Sequence, residues 1–292
     1  MIGRTPRAQA EIFFFIITFI WGSTFVVTKD LLHAASPFLY ICVRFTVASL
    51  LLLAVFPSLR SGWSSATVLR GGALGLMLFA GFALQTVGLQ YTSASKSAFI
   101  TGMLVVFTPV WQVVLERRAP KAGNILGVIL VTIGLYVLTS PAGSEFSTGD
   151  AMTMICAALF GLYIVSLDMW GKGYDAAKLT MMQFQVSAVG GLMGALLLEK
   201  PFLEVSLWSV SQLLYLAIFA TVIALYVQTA YQKDTTPTRS AVIFSMEPVI
   251  AALFAYVLAG ERIGIAGVAG GGVIILGLLI SELSDSLFGG RA

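Results

Sequence analysis

The chain contains ten apolar runs of membrane-spanning length, and this feature limits the fold more than any other. A helix needs about 20 mostly apolar residues, each adding about 1.5 Å of length, to cross the hydrocarbon core of a bilayer. We therefore predict an all-α integral membrane protein with ten transmembrane helices. The predicted spans are 10–28, 36–56, 69–90, 95–115, 123–140, 149–169, 178–198, 208–231, 239–259 and 264–282.

The composition agrees with this class, because 58% of the residues are hydrophobic and only 11% are charged. Soluble domains carry roughly 25% charged residues. The apolar run at 12–27 resembles the core of a signal peptide, but it is longer and no small-residue cleavage site follows it, so we predict that it is retained as a helix. The basic residues are scattered over short connectors, which argues against a nucleic-acid partner.

Few residues are suited to catalysis or to metal binding. His33 is the single histidine, and Cys42 and Cys156 both lie in apolar runs, where free thiols are usual. The sequence contains no plausible nucleophile–base pair and no glycine-rich phosphate loop. We therefore expect neither an enzymatic activity nor a cofactor.

The positive charges of the connectors are distributed unequally between the two sides of the predicted membrane. One side includes both termini and carries twelve of them: Arg4, Arg7, Arg60, Arg70, Arg117, Arg118, Lys121, Lys172, Lys178, Lys233, Arg239 and Arg291. The other side carries four: Lys29, Lys96, Lys200 and Arg262. Because positive residues accumulate on the cytoplasmic side, we predict that both termini are cytoplasmic.

One stretch of the sequence occurs twice. Residues 85–103 read QTVGLQYTSASKSAFITGM and residues 228–246 read QTAYQKDTTPTRSAVIFSM, with seven identical positions at an offset of 143. This offset relates five spans to five, and because five is odd, the second copy enters the membrane from the opposite side. We predict an inverted-topology repeat, an arrangement that allows alternating access. Its units are 1–140 and 146–292, joined by a linker at 141–145.

Glycines are duplicated at the same offset in the predicted fifth and tenth spans. Gly127 is matched by Gly270, and Gly134 by Gly277. The tenth span also contains Gly267, four residues before a further glycine. Small residues at such spacings allow helix backbones to approach closely, so we predict that these two spans pack tightly against neighbours or against each other.

Four motifs make the chain resemble the EamA-type transporters of the drug/metabolite transporter superfamily. They are Trp21-Gly22-Ser23, Arg44-Phe45, Glu247-Pro248-Val249 and Gly260-Glu261-Arg262. Within this family the chain is most similar to the YddG-type amino-acid exporters. The resemblance implies a transporter of the bacterial inner membrane that exports amino acids, including aromatic ones, and related small metabolites by alternating access. It covers roughly residues 10–282.

The resemblance has one departure, and it leaves alternatives open. Pro248 precedes Glu261 by thirteen residues, whereas Pro109 precedes Glu116 by only seven, so the family's paired pattern is blurred in the first half. One alternative is a multidrug or hydrophobic-cation exporter. Another, less favoured because phosphate would need several intramembrane cations, is a carrier of nucleotide sugars or sugar phosphates. The expected partners are a small solute and the lipid bilayer; we expect a monomer, and a dimer stays open.

Polar residues inside a bilayer are costly and are therefore candidates for function. The duplicated Gln85 and Gln228 are predicted to line a cavity and bind a zwitterion; their alternative role is hydrogen bonding between helices. Glu247 could bind an amine, carry a proton or pair with another helix. Arg44 could bind a substrate carboxylate, pair with Glu247 or extend toward the membrane surface.

Aromatic and thioether side chains bear on the type of solute. An adaptable apolar wall accepts varied side chains. The residues predicted to supply it are Trp21 with its neighbour Thr24, Tyr163, Tyr226, and the duplicated Met103 and Met246.

Two pairs of residues in corresponding spans are candidates for motion. Pro109 and Pro248 interrupt the predicted fourth and ninth spans, where they could act as hinges or as static bends. Lys96 and Arg239 correspond to each other at opposite membrane faces. They could anchor the helices at the interface or gate the two mouths of a transport path.

Overall fold

The computed structural model describes residues 7–117, 120, 122–139, 146–259 and 265–288. The predicted linker at 141–145 and the Gly260-Glu261-Arg262 motif lie outside these residues, as do Arg4, Arg118, Lys121 and Arg291. The α-helices are α1 (Arg7–Leu31), α2 (Pro37–Val55), α3 (Ser65–Leu89), α4 (Ala94–Gly102), α5 (Leu104–Glu116), α6 (Ala122–Thr139), α7 (Thr148–Gly171), α8 (Ala176–Leu198), α9 (Leu207–Tyr215), α10 (Ala224–Tyr231), α11 (Pro237–Phe244), α12 (Glu247–Ala259) and α13 (Ile265–Phe288).

The described part of the chain is a helical bundle of membrane-spanning character. Seven helical runs in it are long and apolar enough to cross a bilayer, with α4–α5 and α9–α10 each counting as one run. Two shorter apolar helices cover Ala122–Val137 and Val268–Ile280. An all-helical, multi-pass membrane protein is therefore confirmed, while the count of ten spans stays a prediction.

Contacts between helix ends divide the bundle into two faces. At the face where α1 begins, which we call the near face, Arg239 at the start of α11 pairs with Glu11. At the opposite, far face, the Lys29 ammonium at the end of α1 donates to the carbonyls of Leu89 and Thr92. The Thr92 hydroxyl in turn donates to Asp150 at the start of α7.

Two helical runs are broken at equivalent positions. The first break separates α4 from α5 at Met103, and the second separates α11 from α12 at Ser245 and Met246, which is 143 residues further on. Pro248 is the second residue of α12, where a missing N–H costs nothing, whereas Pro109 lies inside α5, six residues beyond its break. Both runs are thus interrupted, and the first interruption is not centred on its proline.

The two breaks meet inside the bundle. A Cβ atom added to Gly102 would lie only 2.9 Å from Cγ of Pro248, so the last residue of α4 needs a glycine to approach α12. The broken helices of the two halves thus pack against each other where their helical hydrogen bonding is interrupted.

Helices α6 and α13 form a closely packed pair. A Cβ atom added to Gly134 would lie 2.8 Å from the carbonyl oxygen of Gly270, and one added to Gly277 would lie 2.9 Å from that of Gly127. The contact is reciprocal, because the same two pairs of glycines are related by the offset of 143 residues. The tight packing predicted for these glycines is thus a direct helix–helix contact.

We expect the substitution Gly134→Leu to destabilise the protein. The added side chain would collide with backbone atoms of α13, which cannot rotate away, and overpacking of this kind typically costs about 1–3 kcal/mol. The thermal midpoint in detergent measures the effect. Gly272→Leu is the matched control, since a Cβ atom there meets nothing within 4 Å. Equal midpoints for the two variants would contradict the close contact.

Candidate functional site

A cavity of about 60 Å³ lies between the two halves of the bundle. It has room for a few water molecules. Its wall combines seven of the residues predicted to bind solute with apolar and hydroxyl side chains that were not predicted. The predicted residues that line it are Trp21, Thr24, Arg44, Gln85, Tyr163, Gln228 and Glu247. The others are Phe25, Thr28, Leu78, Phe82, Thr86, Leu89, Thr101, Leu104, Phe160, Ile164, Leu225 and Phe244.

The two duplicated glutamines contribute from α3 and α10. The Gln85 amide nitrogen donates to the Thr101 hydroxyl at 3.0 Å, which orients this side chain across the break between α4 and α5. Gln228 is buried and makes no side-chain hydrogen bond with the described part of the chain. Its amide therefore keeps a donor and an acceptor for whatever enters the cavity.

Arg44 reaches the cavity from α2 and is only 4% exposed, so it does not extend to the membrane surface. Its Nε donates to the Thr221 hydroxyl at 2.6 Å and its Nη1 to the Tyr40 hydroxyl at 2.7 Å. The guanidinium carbon lies 4.9 Å from the ring centroid of Phe82. These contacts hold the planar cation in one orientation, and no acid among the described residues neutralises its charge.

Glu247 is the first residue of α12 and is 7% exposed. Within the described residues its carboxylate makes neither a hydrogen bond nor an ion pair, so the pairing with Arg44 that the sequence left open does not form. The cavity thus holds one cation and one acid that do not neutralise each other.

A π-helical segment, Leu216–Ile223, holds two of the lining side chains, Trp21 and Arg44, in place. The wider turn changes the backbone hydrogen bonding, and the carbonyl of Ala220 accepts from the Trp21 indole at 3.0 Å. The Thr221 hydroxyl, which holds Arg44, donates to the carbonyl of Leu216. Nothing in the sequence indicated this segment, because its residues are all compatible with a regular helix.

Three of the predicted binding residues do not reach the cavity. Met103 and Met246 lie at the two helix breaks. Tyr226 faces a separate apolar groove on the outside of the bundle, where its ring lies 4.7 Å from that of Phe56. Among the lining residues that were not predicted, Phe82 could have been found by its spacing of three from Gln85 on the same helix.

The two predicted gating residues form matching ion pairs. At the far face, the Lys96 ammonium lies 2.6 Å from the Asp150 carboxylate; at the near face, Nε of Arg239 lies 2.8 Å from Glu11. Asp150 is fully buried, as is nearly all of Arg239. Each cation begins a broken helix, and each acid lies near the start of the first helix of the other half.

Known proteins match this chain over most of its length. The sequence model of the EamA-like transporter family matches residues 8–140 and 147–283. An uncharacterised transporter of Archaeoglobus fulgidus is 32% identical over 95% of this chain and 87% of its own length. Protein PecM of Dickeya dadantii is 26% identical over 96% of this chain and 94% of its own length. A protein of known crystal structure has the same fold, with a TM-score of 0.81 at 17% identity over 96% of this chain and 99% of that one.

Proposed function

The chain belongs to the EamA-like transporter family, and we propose that, within this family of membrane transporters, it exports amino acids, including aromatic ones, by alternating access. The observation that carries the proposal is the presence of Arg44 and Glu247 in one cavity without pairing. A zwitterion offers a carboxylate to the guanidinium and an ammonium group to the acid. The two glutamine amides can bind either end.

The aromatic wall fits the side chain of such a solute. Trp21, Phe82, Phe160 and Phe244 all line the cavity, and the Trp21 and Phe244 rings meet edge to face at 5.2 Å. Apolar and aromatic side chains can pack against these faces without a specific hydrogen bond. Because 60 Å³ is too small for an aromatic amino acid, the bundle has to open around the cavity during transport.

The proposed topology is ten spans in two inverted halves, with both termini in the cytoplasm of a bacterium. It is supported by the matched helix breaks, the reciprocal glycine contact of α6 with α13 and the two ion pairs at opposite faces. In this topology the near face is cytoplasmic and the far face is periplasmic. We propose a monomer, since the cavity is built within one chain.

Export of hydrophobic cations is the second candidate. Glu247, which has no partner in the part of the chain that the structure describes, shares the cavity wall with Trp21 and Phe244 and would suit a lipophilic cation. Arg44 in the same cavity opposes it, because a like charge repels such a solute. Phosphate-bearing solutes are disfavoured, since Arg44 is the one cation among the described residues that line this cavity.

Purified protein in liposomes tests the proposal. We expect efflux of labelled phenylalanine down its gradient from loaded vesicles, and no transport of tetraphenylphosphonium. Repeating the assay with an imposed pH gradient separates facilitated diffusion from proton exchange through Glu247. Empty liposomes and the Arg44→Met variant are the controls. Transport of the lipophilic cation without amino-acid flux would replace the first function with the second.

A further inference from the structure

A group of buried polar side chains lies beyond the cavity, on the side of the near face. Its members come from α7, α8, α10 and the turn after α10, and each is at most 5% exposed: Ser166, Thr180, Gln183, Thr229 and Gln232. Four of them have a side-chain atom without a hydrogen-bond partner among the described residues: Oγ of Ser166, Oγ1 of Thr180, Nε2 of Gln183 and Oε1 of Gln232. The fifth, Thr229, lies within hydrogen-bonding reach of the Tyr163 hydroxyl at the cavity wall. We call these five residues the inner polar cluster.

Ordinary helix packing does not account for these atoms. Several buried hydroxyls elsewhere in the bundle bond to a carbonyl of their own helix, such as Thr18 to Phe14 at 2.6 Å and Thr153 to Gly149 at 2.8 Å, although Ser97 and Ser187 do not. The hydroxyls of the inner polar cluster do not make this bond. A buried polar group without a partner is costly, and natural proteins hold few of them, so the cluster calls for a functional reason.

The inner polar cluster is continuous with the cavity. Tyr163 lines the cavity, and its hydroxyl donates to Oε1 of Gln183 at 2.7 Å. Thr229 directly follows Gln228, another lining residue. From there the cluster extends toward the near face, where the Gln232 amide donates to Ser240 of α11. Helix α8 packs against α10, and α7 packs against the turn that contains Gln232.

The repeat relates this cluster to the cavity wall. At the offset of 143 residues, Thr229 corresponds to Thr86 and Gln232 to Leu89, and both of these first-half residues line the cavity. Gln183 corresponds to Tyr40, which orients Arg44. In the first half Thr86 and Leu89 therefore border the cavity, while their second-half counterparts Thr229 and Gln232 are buried and do not line it.

From these observations we propose that the inner polar cluster lines a second polar chamber, which opens between the cavity and the near face when Arg239 and Glu11 separate. In that state the free hydroxyl and amide groups bind water and the polar end of the solute. The five residues carry no charge, so the chamber passes hydrogen-bonding, zwitterionic solutes without holding them by an ion pair. This inference rests on the proposed transport function and assigns residues to its near-face path.

Cysteine accessibility tests the chamber without a substrate. Cys42 and Cys156 are first replaced by alanine, and Thr229→Cys is compared with Thr86→Cys as the matched control. The probe is a charged, membrane-impermeant methanethiosulfonate applied to one side of sealed vesicles. We expect Thr229→Cys to react from the near face and Thr86→Cys from the far face. Adding Glu11→Gln should raise the rate at Thr229→Cys about tenfold, as expected for a shift of about 1.4 kcal/mol.

Two outcomes would overturn the chamber: no reaction at Thr229→Cys from either side with or without Glu11→Gln, or reaction from the far face alone. Ser166→Cys exchanges only oxygen for sulfur and serves as the second variant if Thr229→Cys does not fold. The result is separable from the proposed function. Sided labelling of a protein that shows no amino-acid flux in the liposome assay would retain the chamber and reject the proposed solute. Amino-acid flux without sided labelling would do the reverse.

Discussion

Replacing Arg44 with methionine is expected to reduce amino-acid transport about tenfold to hundredfold while leaving the protein folded. Methionine keeps much of the side-chain length but removes the charge that we propose binds the solute carboxylate, and a charge-assisted hydrogen bond contributes about 1.5–3 kcal/mol. The comparison of phenylalanine with phenethylamine, which lacks the carboxylate, measures the effect. The wild-type protein should favour phenylalanine, and the variant should lose this preference.

Arg44→Lys is the matched control for this experiment. Lysine keeps the positive charge but cannot donate in the planar arrangement that joins Arg44 to Thr221 and Tyr40. We expect an intermediate rate with the preference for phenylalanine retained. If Arg44→Met kept the preference at a normal rate, Arg44 would be a structural residue that links α2 to the π-helical segment.

The second large effect is expected from Asp150→Asn, which removes the acid of the far-face ion pair. Asparagine keeps the shape and still accepts from Thr92 or from the backbone of Ser147, so α7 retains its start. The substitution removes the ion pair with Lys96. A partly buried pair of this kind stabilises the closed far face by about 1–2 kcal/mol, between the values for exposed and buried pairs. We expect the far face to open about tenfold more often.

Glu11→Gln is the mirror control, because it removes the acid of the near-face pair. Accessibility of Thr86→Cys should rise in Asp150→Asn and fall in Glu11→Gln, since opening one face disfavours opening the other under alternating access. Melting temperatures in detergent separate this shift from unfolding. A parallel change of accessibility in both variants would contradict a gating role for the pairs and leave them as anchors.

Much of the architecture could be predicted because it depends on one-dimensional patterns. Apolar run lengths predict membrane helices, and polar residues within those runs, such as Gln85 and Gln228, are found at the cavity. The remainder depends on three-dimensional contacts. The sequence predicts that the duplicated Met103 and Met246 line the cavity, because both are apolar and repeated. In the structure each lies at a helix break instead.

Charge alone also did not predict which groups pair. Arg44 and Glu247 are both intramembrane, and electrostatics favours their contact, but Arg44 binds Thr221 and Tyr40 instead. The sequence carries no signal for this choice, because the π-helical segment that presents Thr221 and the carbonyl of Ala220 resembles an ordinary helix.

The reciprocal ion pairs have a consequence for how this protein can evolve. Lys96 depends on an acid encoded in the second half of the gene, and Arg239 depends on one encoded in the first. The glycines of α6 and α13 depend on each other in the same crossed manner. Although the halves have the form of two copies, a substitution in either copy selects for a compensating change in the other. If only one half were replaced by that of a relative, we expect these crossed contacts to be lost.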